Sequence, residues 1–421
     1  MSDHTPARSL AARALDVRPG EQRRVAALFT ASFTLGLALT LFDLAVAAHL
    51  LAAAAPEDLP WARVAVGAAV LASGAALAAL RVRLSPAALA AGPLMLLAAV
   101  GLSLVPLLAE PPGLTALLGL YAAQRVLSAL AIVAFWTVAA RALDVAESRR
   151  LYALVSAGEL LAVVVIGLAA GPLHRALALQ GLLALSLVLL AAGAALLLPL
   201  ARRPRSERAA APTPEAPANR DERRHAARCV AYHVAYNVTC TLVDFAALLA
   251  VQRADPGRPD ALAATLGALV AARVAVAAVA RLVVAGRLLE RLGPGPALAL
   301  GPAAVLVVAA AALLSGAAAS APLMTALALT TAEAAARSAV GKPAFMTTQR
   351  PLPAALRTRT LVTTETLAAP LTAGLVGALL LLAPSTWLSG PVLLVILCAT
   401  TLAWLSAART LTRSYLRLTT S

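Results

Sequence analysis

The apolar residues of the chain fall into twelve long runs, separated by charged residues and by clusters of proline and glycine. Six runs precede a polar stretch, near 25–52, 60–80, 86–109, 113–140, 151–171 and 177–200. Six follow it, near 229–251, 261–284, 296–319, 321–341, 360–383 and 387–408. Each run is longer than the roughly 18 residues that mark a membrane-crossing helix. The sequence therefore predicts an all-α integral membrane protein with twelve transmembrane helices in two six-helix bundles.

The composition agrees with a bilayer as the solvent. Of the 421 residues, 61% are hydrophobic and 13% are charged, and the mean hydropathy is +0.84. A soluble domain is closer to half apolar and about a quarter charged. The polar N-terminal segment leads into a long apolar run without a short apolar core and cleavage site, so no removable signal peptide is predicted.

The basic residues alternate between the two sides of the predicted bundle. Most of the 35 Lys and Arg residues fall in the N-terminal segment, the even-numbered loops and the C-terminal segment, and this set includes Lys342. The other loops hold Arg63, Arg175, Arg253 and Arg258. The positive-inside rule then places the protein in the inner cell membrane with both termini cytoplasmic. It also explains the net charge of +15, and because the arginines are dispersed, no nucleic-acid partner is predicted.

These segments predict five parts of the chain. Residues 1–24 form a cytoplasmic tail, 25–200 the N-terminal six-helix bundle, and 201–228 a disordered cytoplasmic linker. Residues 229–408 form the C-terminal bundle and 409–421 a second cytoplasmic tail. The linker prediction rests on its richness in Pro, Ala and charge, which leaves too little apolar surface to bury.

Two correspondences relate the halves to each other. "TLFDLAVAAH" (40–49) and "TLVDFAALLA" (241–250) place Asp43 and Asp244 at matching positions of the first and seventh helices. "LVSAGELLA" (154–162) and "LVTTETLA" (361–368) align Glu159 with Glu365 after a one-residue slip, on the fifth and eleventh helices. The order and the helices match in both cases. The pattern favours parallel structural repeats, as in the major facilitator fold.

The loop between helices eight and nine carries a further motif. "GRLLERLG" (286–293) fits the pattern G-x-L-x-[DE]-R-x-G, which is typical of cytoplasmic loops in that fold. The motif predicts that Glu290 and Arg291 lock helix ends across the closed cytoplasmic side, as a cytoplasmic gate.

Three stretches resemble a narrower family. "FWTVAARALDVAESRRLYALVSAGE" (135–159), "AYHVAYNVTCTLVDF" (231–245) and "ARSAVGKPAFMTTQRPLPAALRTRT" (336–360) are similar to segments of the ATP/ADP translocase (nucleotide transporter) family. The resemblance implies a divergent member with a major facilitator-like fold, and antiport of nucleotides or of another anionic phosphorylated metabolite. The first helix departs from that family, because it has Asp43 and no basic residue after Arg24 where those carriers place a lysine.

Charged residues inside the predicted helices are the candidate transport site. Each costs roughly 2.5–3.5 kcal/mol at mid-membrane, so each needs a partner or a wet cavity. A buried carboxyl exchanges a proton most cheaply, because burial disfavours its charged form. Arg125 and Arg273 are candidate anion clamps, since a guanidinium fork suits phosphate or carboxylate. The alternative is that the acids and bases simply pair and fix the helices. The predicted cavity residues are Asp43, Arg125, Glu159, Asp244, Arg273, Glu333 and Arg337.

The sequence contains no set of residues that indicates an enzyme. It has no phosphate-binding GxxxxGK[ST] motif, no metal-ligand spacing, and no nucleophile that we can place with a base. No cofactor and no metal are predicted. The sequence thus predicts a secondary transporter that works by alternating access, with an anionic small molecule as substrate and protons as candidate coupled ions. The alternative is a membrane scaffold or sensor that shares this fold and does not transport.

Overall fold

The computed structural model describes most of the chain as helices. It describes residues 18, 21–81, 86–108, 112–143, 145–201, 219–283, 288, 291–384, 386 and 390–420. In the N-terminal half the helices are α1 (Gln22–Ala53), α2 (Leu59–Arg81), α3 (Pro86–Leu104), α4 (Leu114–Ala142), α5 (Val145–Ala176) and α6 (Leu179–Ala201). In the C-terminal half they are α7 (Arg220–Ala254), α8 (Pro259–Val283), α9 (Pro294–Leu314), α10 and α11, described below, and α12 (Gly390–Thr420).

Helices α10 and α11 each contain a widened π turn. Helix α10 runs through Pro322–Ala336, the π turn Arg337–Gly341 and Lys342–Thr348. Helix α11 runs through Ala354–Val362, the π turn Thr363–Ala368 and Ala369–Leu382. A π turn holds one extra residue and changes the direction of the side chains that follow it. Ten helices of the described chain are long and apolar enough to cross a membrane, and Ala91–Leu107, in the α3 region, is a shorter apolar helix.

The helices pack as two bundles in chain order. In the N-terminal half α1 lies at the centre against α4, α5 and α6, and in the C-terminal half α7 packs against α10, α11 and α12. The halves meet along two antiparallel helix pairs, α2 with α11 and α5 with α8, and along α1 with α8. The predicted fold class, twelve helices in two six-helix bundles, is confirmed.

Small residues allow the halves to touch at one end of the molecule. We call this the loop end, and we call the opposite end, where α1 begins and α12 ends, the terminal end. A Cβ atom on Gly67 of α2 would lie 2.7 Å from the Cα of Gly374 of α11, and one on Gly167 of α5 would lie 2.6 Å from the carbonyl oxygen of Gly267 of α8. Real Cβ atoms do not approach so closely, so glycine is required for these helix crossings.

Gln252 adds polar contacts between the halves at the loop end. This residue is buried at the end of α7, and its amide nitrogen donates to the carbonyl oxygens of Leu51 (3.1 Å) and Ala54 (2.7 Å) at the end of α1. These bonds satisfy carbonyl groups that a helix C-terminus leaves without an internal partner. Together with the glycine contacts they close the loop end.

Contacts at the terminal end hold each half together internally. Arg24 of α1 donates to the Ala142 carbonyl (3.1 Å) and to the Glu147 carboxylate (2.9 Å) in the N-terminal half. His225 of α7 contacts the Ser414 hydroxyl (2.9 Å) and the Thr348 carbonyl (2.8 Å) in the C-terminal half. The Gln252 bonds thus tie the halves to each other at the loop end, whereas these contacts at the terminal end each lie within one half.

Two helices extend beyond the predicted segments. The linker prediction extends to residue 228, but α7 begins at Arg220, because Asn219 and Glu222 form a reciprocal capping box that starts the helix early. The predicted C-terminal tail 409–421 is helical through Thr420, since α12 continues past the membrane-length run. Residues 202–218, which make up most of the predicted linker, lie outside the described residues.

Candidate functional site

A polar cavity of about 100 Å³ lies at the contact between the two halves. Helices α1, α2 and α4 of the N-terminal half and α7, α8 and α10 of the C-terminal half contribute to its walls. The charged residues that line it are Asp43, Arg63, Arg125, Asp244 and Arg273. Four of these five are predicted site residues from different helices, and the fold brings them into one place.

Each aspartate of the repeat has its own arginine. A guanidinium nitrogen of Arg125 lies 3.2 Å from the Asp43 carboxylate, and one of Arg273 lies 3.4 Å from the Asp244 carboxylate. Tyr121 also contacts Arg125. A guanidinium nitrogen of Arg125 donates to the Tyr121 hydroxyl (3.0 Å), and the central guanidinium carbon lies 5.1 Å from the centre of the Tyr121 ring. These contacts agree with the alternative prediction, in which the acids and bases pair with each other and fix the helices. The groups remain partly exposed to the cavity, with 29% exposure for Asp43 and 48% for Asp244.

The two pairs are not related by the repeat. Asp43 of α1, the first helix of its half, pairs with Arg125 of α4, the fourth helix. Asp244 of α7, the first helix of the other half, pairs instead with Arg273 of α8, the second helix. The two ion pairs nevertheless line the same cavity, one from each bundle.

Arg63 is the cavity residue that the sequence analysis misplaces. It was assigned to a loop, but it lies within the first turns of α2 and is 7% exposed. Its backbone packs against α11, where a Cβ atom on Gly377 would lie 2.8 Å from the Arg63 Cβ. Within the described part of the chain no carboxylate lies within ion-pair distance of Arg63, although Asp43 and Asp244 line the same cavity.

The charge balance of this cavity favours an anion. Three arginines and two aspartates leave a surplus of one positive charge among the lining residues. A buried cation without a direct partner is costly in a low-dielectric region, and a bound anion would offset that cost. Guanidinium groups bind planar carboxylate and phosphate oxygens with two parallel hydrogen bonds.

One face of α7 leads from this cavity toward the terminal end. Tyr236, Cys240 and Asp244 follow at intervals of four residues, so they lie above one another on the helix. The Tyr236 hydroxyl (3.4 Å) and the Cys240 thiol (3.5 Å) both contact Glu333, which forms an i, i+4 ion pair of 3.0 Å with Arg337. The predicted residues Glu333 and Arg337 thus form an intrahelical pair that lies beside the first cavity.

Beyond this pair lies a second cavity, of about 230 Å³, inside the C-terminal half. Lys342 lines it, although the sequence analysis assigns this residue to a cytoplasmic loop. The helix does not end near residue 341, because the π turn lets α10 continue through Lys342 to Thr348. The aromatic residues of this cavity are also outside the predicted set, since their chemistry alone does not distinguish them from ordinary core residues.

The N-terminal half has a smaller counterpart of about 50 Å³. Glu159 lines it together with Phe135 and Trp136, and the backbone N–H of Glu159 lies 3.2 Å from the Ser32 hydroxyl. The charge of Lys342 acts on Glu159 across the interface. The N-terminal half thus lines its cavity with an acid, Glu159, and the C-terminal half lines its cavity with a base, Lys342.

The predicted cytoplasmic gate is described only in part. Arg291 is exposed just before α9, and Glu290 lies outside the described residues, as do three other residues of "GRLLERLG". The Glu365 side chain is outside them as well. The gate therefore stays a prediction. In the described residues no group of three or more His, Cys, Asp or Glu side chains is placed to hold a metal ion.

Comparisons with known proteins match the whole chain at the level of structure. The chain is similar to a bacterial homologue of the iron transporter ferroportin in its inward-facing state, with 15% identity, a TM-score of 0.63, and coverage of 95% of this chain and 99% of that one. It is similar to a D-xylose-proton symporter, with 14% identity, a TM-score of 0.61, and coverage of 94% of this chain and 98% of that one. It is also similar to the nucleoside transporter NupG, with 12% identity, a TM-score of 0.57, and coverage of 94% of this chain and 99% of that one. No protein-family model and no curated protein sequence matches the chain.

At these identities the likeness establishes the fold. The chain is an all-α, multi-pass membrane protein with the major facilitator fold. The predicted fold is confirmed, whereas the narrower resemblance to ATP/ADP translocases has no support from these comparisons and stays a prediction.

Proposed function

We propose that this protein is a secondary transporter that moves a small organic anion by alternating access. In this mechanism the two bundles rock about a site near the membrane midplane, so that the site opens to one side and then to the other. The structural neighbours are described as transporters of nucleosides, D-xylose and metals, which supports transport and leaves the substrate open.

The charged cavity between the halves is the observation that carries the proposal. Its walls come from both bundles, so a rocking motion changes its shape and its access. Arg63, Arg125 and Arg273 outnumber the two aspartates there. Ion pairs between helices could stabilise a scaffold, but they account for Arg125 and Arg273 only. Arg63 has no carboxylate within ion-pair distance in the described residues, and a charge without a partner costs free energy in the membrane.

The charge balance limits the size of the anion's charge. The surplus at the first cavity is one positive charge, and Lys342 adds one at the second. A nucleotide or another phosphorylated metabolite belongs to the proposed class. A substrate with one or two negative charges matches this surplus better than a triphosphate does.

Protons are the proposed coupled ion. Protonation of Asp43 would remove the charge that holds Arg125 at 3.2 Å and free the guanidinium for the substrate. The same argument applies to Asp244 and Arg273. Proton binding and anion binding at one arginine are then linked, as coupling between two ligands requires.

Uptake into proteoliposomes tests the function. Full-length protein is reconstituted and offered labelled monocarboxylates, sugar phosphates, nucleoside mono- and triphosphates, D-xylose and uridine. We expect saturable uptake of at least one anion, severalfold above protein-free liposomes, and at least a tenfold loss in Arg63→Gln. Arg175→Gln, at the exposed loop end of α5, is the matched control and should transport like the parent.

The opposite result identifies the alternative. If folded protein gives no flux with any compound of the panel, at inward and outward pH gradients, the chain is a scaffold or sensor. Uptake of only the neutral compounds would overturn the anion assignment and retain transport.

A further inference from the structure

The second cavity is bounded mainly by aromatic rings. Tyr232 and Phe345 stack with centroids 5.3 Å apart and an interplanar angle of 23°, and Tyr236 and Trp404 lie 5.3 Å apart. His233 joins the same group, 5.6 Å from Phe345. Aromatic rings attract one another at centroid distances of about 4.5–7 Å, beyond the burial of their area. A flat aromatic ligand can therefore extend this group of rings.

Glycine preserves the space beside Trp404. A Cβ atom on Gly301 of α9 would lie 3.0 Å from the outer carbon of the Trp404 ring. The indole is 3% exposed and is thus fixed by its surroundings. The wall of the cavity is rigid, and a rigid aromatic wall loses little conformational entropy when it binds a ligand.

The positive charge of this cavity resides on Lys342. The other lining cation, Arg337, is already paired with Glu333 at 3.0 Å. Lys342 is exposed to the cavity, and no carboxylate within ion-pair distance of it occurs in the described part of the chain. Within the C-terminal half these three charged groups leave one positive charge, which matches a single acid group on the ligand. Glu159 of the N-terminal half acts on Lys342 across the interface without an ion-pair contact, so it leaves room for such a group.

The two π turns lie beside this cavity: one precedes Lys342 and the other precedes Ala369, and both of these residues line it. In the turn Arg337–Gly341, the N–H of Lys342 donates to the carbonyl of Arg337, so the residues at i and i+5 lie on one face. In the turn Thr363–Ala368, the N–H of Ala369 donates to the carbonyl of Thr364, and Ala369 lines the same cavity. Such turns are frequent at functional sites.

Two polar side chains of the wall are already hydrogen-bonded. The Asn237 amide donates to the His233 carbonyl (2.7 Å), and the Tyr236 hydroxyl contacts Glu333. A ligand with many hydroxyl groups would compete with these bonds, and a buried polar group left unpaired costs about 1–3 kcal/mol. The aromatic rings of the wall therefore favour a ligand that is mostly apolar and flat.

We propose that the second cavity binds an aromatic monocarboxylate. The ring lies among Tyr236, Phe345 and Trp404, and the carboxylate meets Lys342. This inference rests on the transport function proposed above, and it names the class of substrate for the path that the second cavity extends. A triphosphate fits poorly, because the cavity supplies one unpaired cation.

Lys342 allows a direct test, because it is the chain's single lysine. Purified full-length protein in detergent is treated with an amine-reactive reagent, and the modification is located by peptide mass. We expect indole-3-acetate to slow the modification of Lys342 at least fivefold, while the α-amino group of residue 1 reacts at an unchanged rate. Indole and cyclohexanecarboxylate, which lack the acid and the flat ring respectively, should protect much less.

Equilibrium dialysis of labelled indole-3-acetate tests the residues. We expect Lys342→Met to weaken binding about tenfold or more, as for a lost charge-assisted contact. Phe345→Leu should weaken it about fivefold, and Arg350→Gln, exposed beyond the cavity at the end of α10, should bind like the parent.

Equal protection by all three compounds, or parental binding by Lys342→Met, would overturn the proposal. If Lys342→Met folds poorly, Lys342→Arg is measured in its place. This variant keeps the positive charge and should therefore retain binding, and a loss of binding by folded Lys342→Arg would contradict a role for the charge alone.

Failure of the site and failure of the function give different results. Binding of indole-3-acetate that depends on Lys342, without uptake into proteoliposomes, supports the site and contradicts the transporter. Uptake of other anions by protein that does not bind indole-3-acetate, benzoate or phenylacetate supports the transporter and contradicts the site.

Discussion

Asp43 and Asp244 each contact an arginine, and this changes what their substitution should do. An asparagine at either position keeps the size of the side chain and removes its charge. Arg125 or Arg273 then loses the partner that lies 3.2 or 3.4 Å away. If protonation of the aspartate is part of the transport cycle, the asparagine imitates the protonated state permanently.

We therefore expect Asp43→Asn to lower pH-driven uptake at least tenfold and to flatten its pH profile, with nearly parental expression. The measurement is uptake of the transported anion between pH 5.5 and pH 8. Asp221→Asn is the matched control, because this acid is 77% exposed at the start of α7. Parental uptake of Asp43→Asn at every pH would make the acid a packing element. Loss of folding that Asp43→Asn/Arg125→Gln restores would make the pair structural.

At the scale of helices, the loop end is closed by glycine contacts that a rocking motion must break. Gly67 of α2 faces Gly374 of α11, and a Cβ at Gly67 would lie within 3 Å of α11 backbone atoms. Gly74 lies two turns further along the same helix and faces open space, with no atom within 4 Å of its Cβ position. The same substitution at Gly67 and at Gly74 therefore has the same effect on the propensity of α2 to form a helix, and only the one at Gly67 meets α11.

We expect Gly67→Val to shift the protein toward states that are open at the loop end, since the closed state cannot accommodate the side chain. The measurement is the reaction of a cysteine at Thr330, a buried cavity residue, with a membrane-impermeant maleimide added from the loop side. The background replaces Cys229, Cys240 and Cys398 by serine or alanine. The rate should rise at least fivefold, and Gly74→Val should leave it unchanged. Equal rates in both variants would show that these contacts do not close the molecule.

At the scale of the whole molecule, the direction of the bundle in the membrane depends on its loop charges. Most of the basic residues fall in the N-terminal segment, the even-numbered loops and the C-terminal segment, which the positive-inside rule predicts to be cytoplasmic. The fold is compatible with this orientation but does not select it, because the packing of the two halves does not depend on which side of the membrane is the cytoplasm.

A tag inserted between residues 205 and 215 should therefore be reached by protease only from the cytoplasmic side. A tag after Asp255, in the turn between α7 and α8, should be reached only from the other side. Intact spheroplasts and inverted vesicles give the two measurements. A reversed pattern would contradict the predicted orientation, and access to both tags from one side would contradict the number of helices between them.

The sequence by itself determined the helices and their order. Each apolar run is a local property, because a segment of this length needs no information from the rest of the chain to prefer a bilayer. The repeat of Asp43 and Asp244 also belongs to the sequence, and it placed both acids at the depth at which they line one cavity.

The tertiary structure decided which charges belong together. Arg63 and Lys342 lie near the edges of apolar runs, where local hydropathy assigns a cation to a loop, yet both line cavities within the fold. The pairing of Asp244 with Arg273 of α8, unlike that of Asp43 with Arg125 of α4, depends on helix rotation.

The π turns of α10 and α11 are a third feature of this kind. A bond from Lys342 to the carbonyl of Arg337 depends on how the widened turn packs against neighbouring helices, and no spacing of apolar residues encodes it. Hydrophobicity acts residue by residue along the chain, so the sequence sets which segments enter the membrane. Contacts between charges act across helices at distances of about 3 Å, so only the packed structure sets which of them meet.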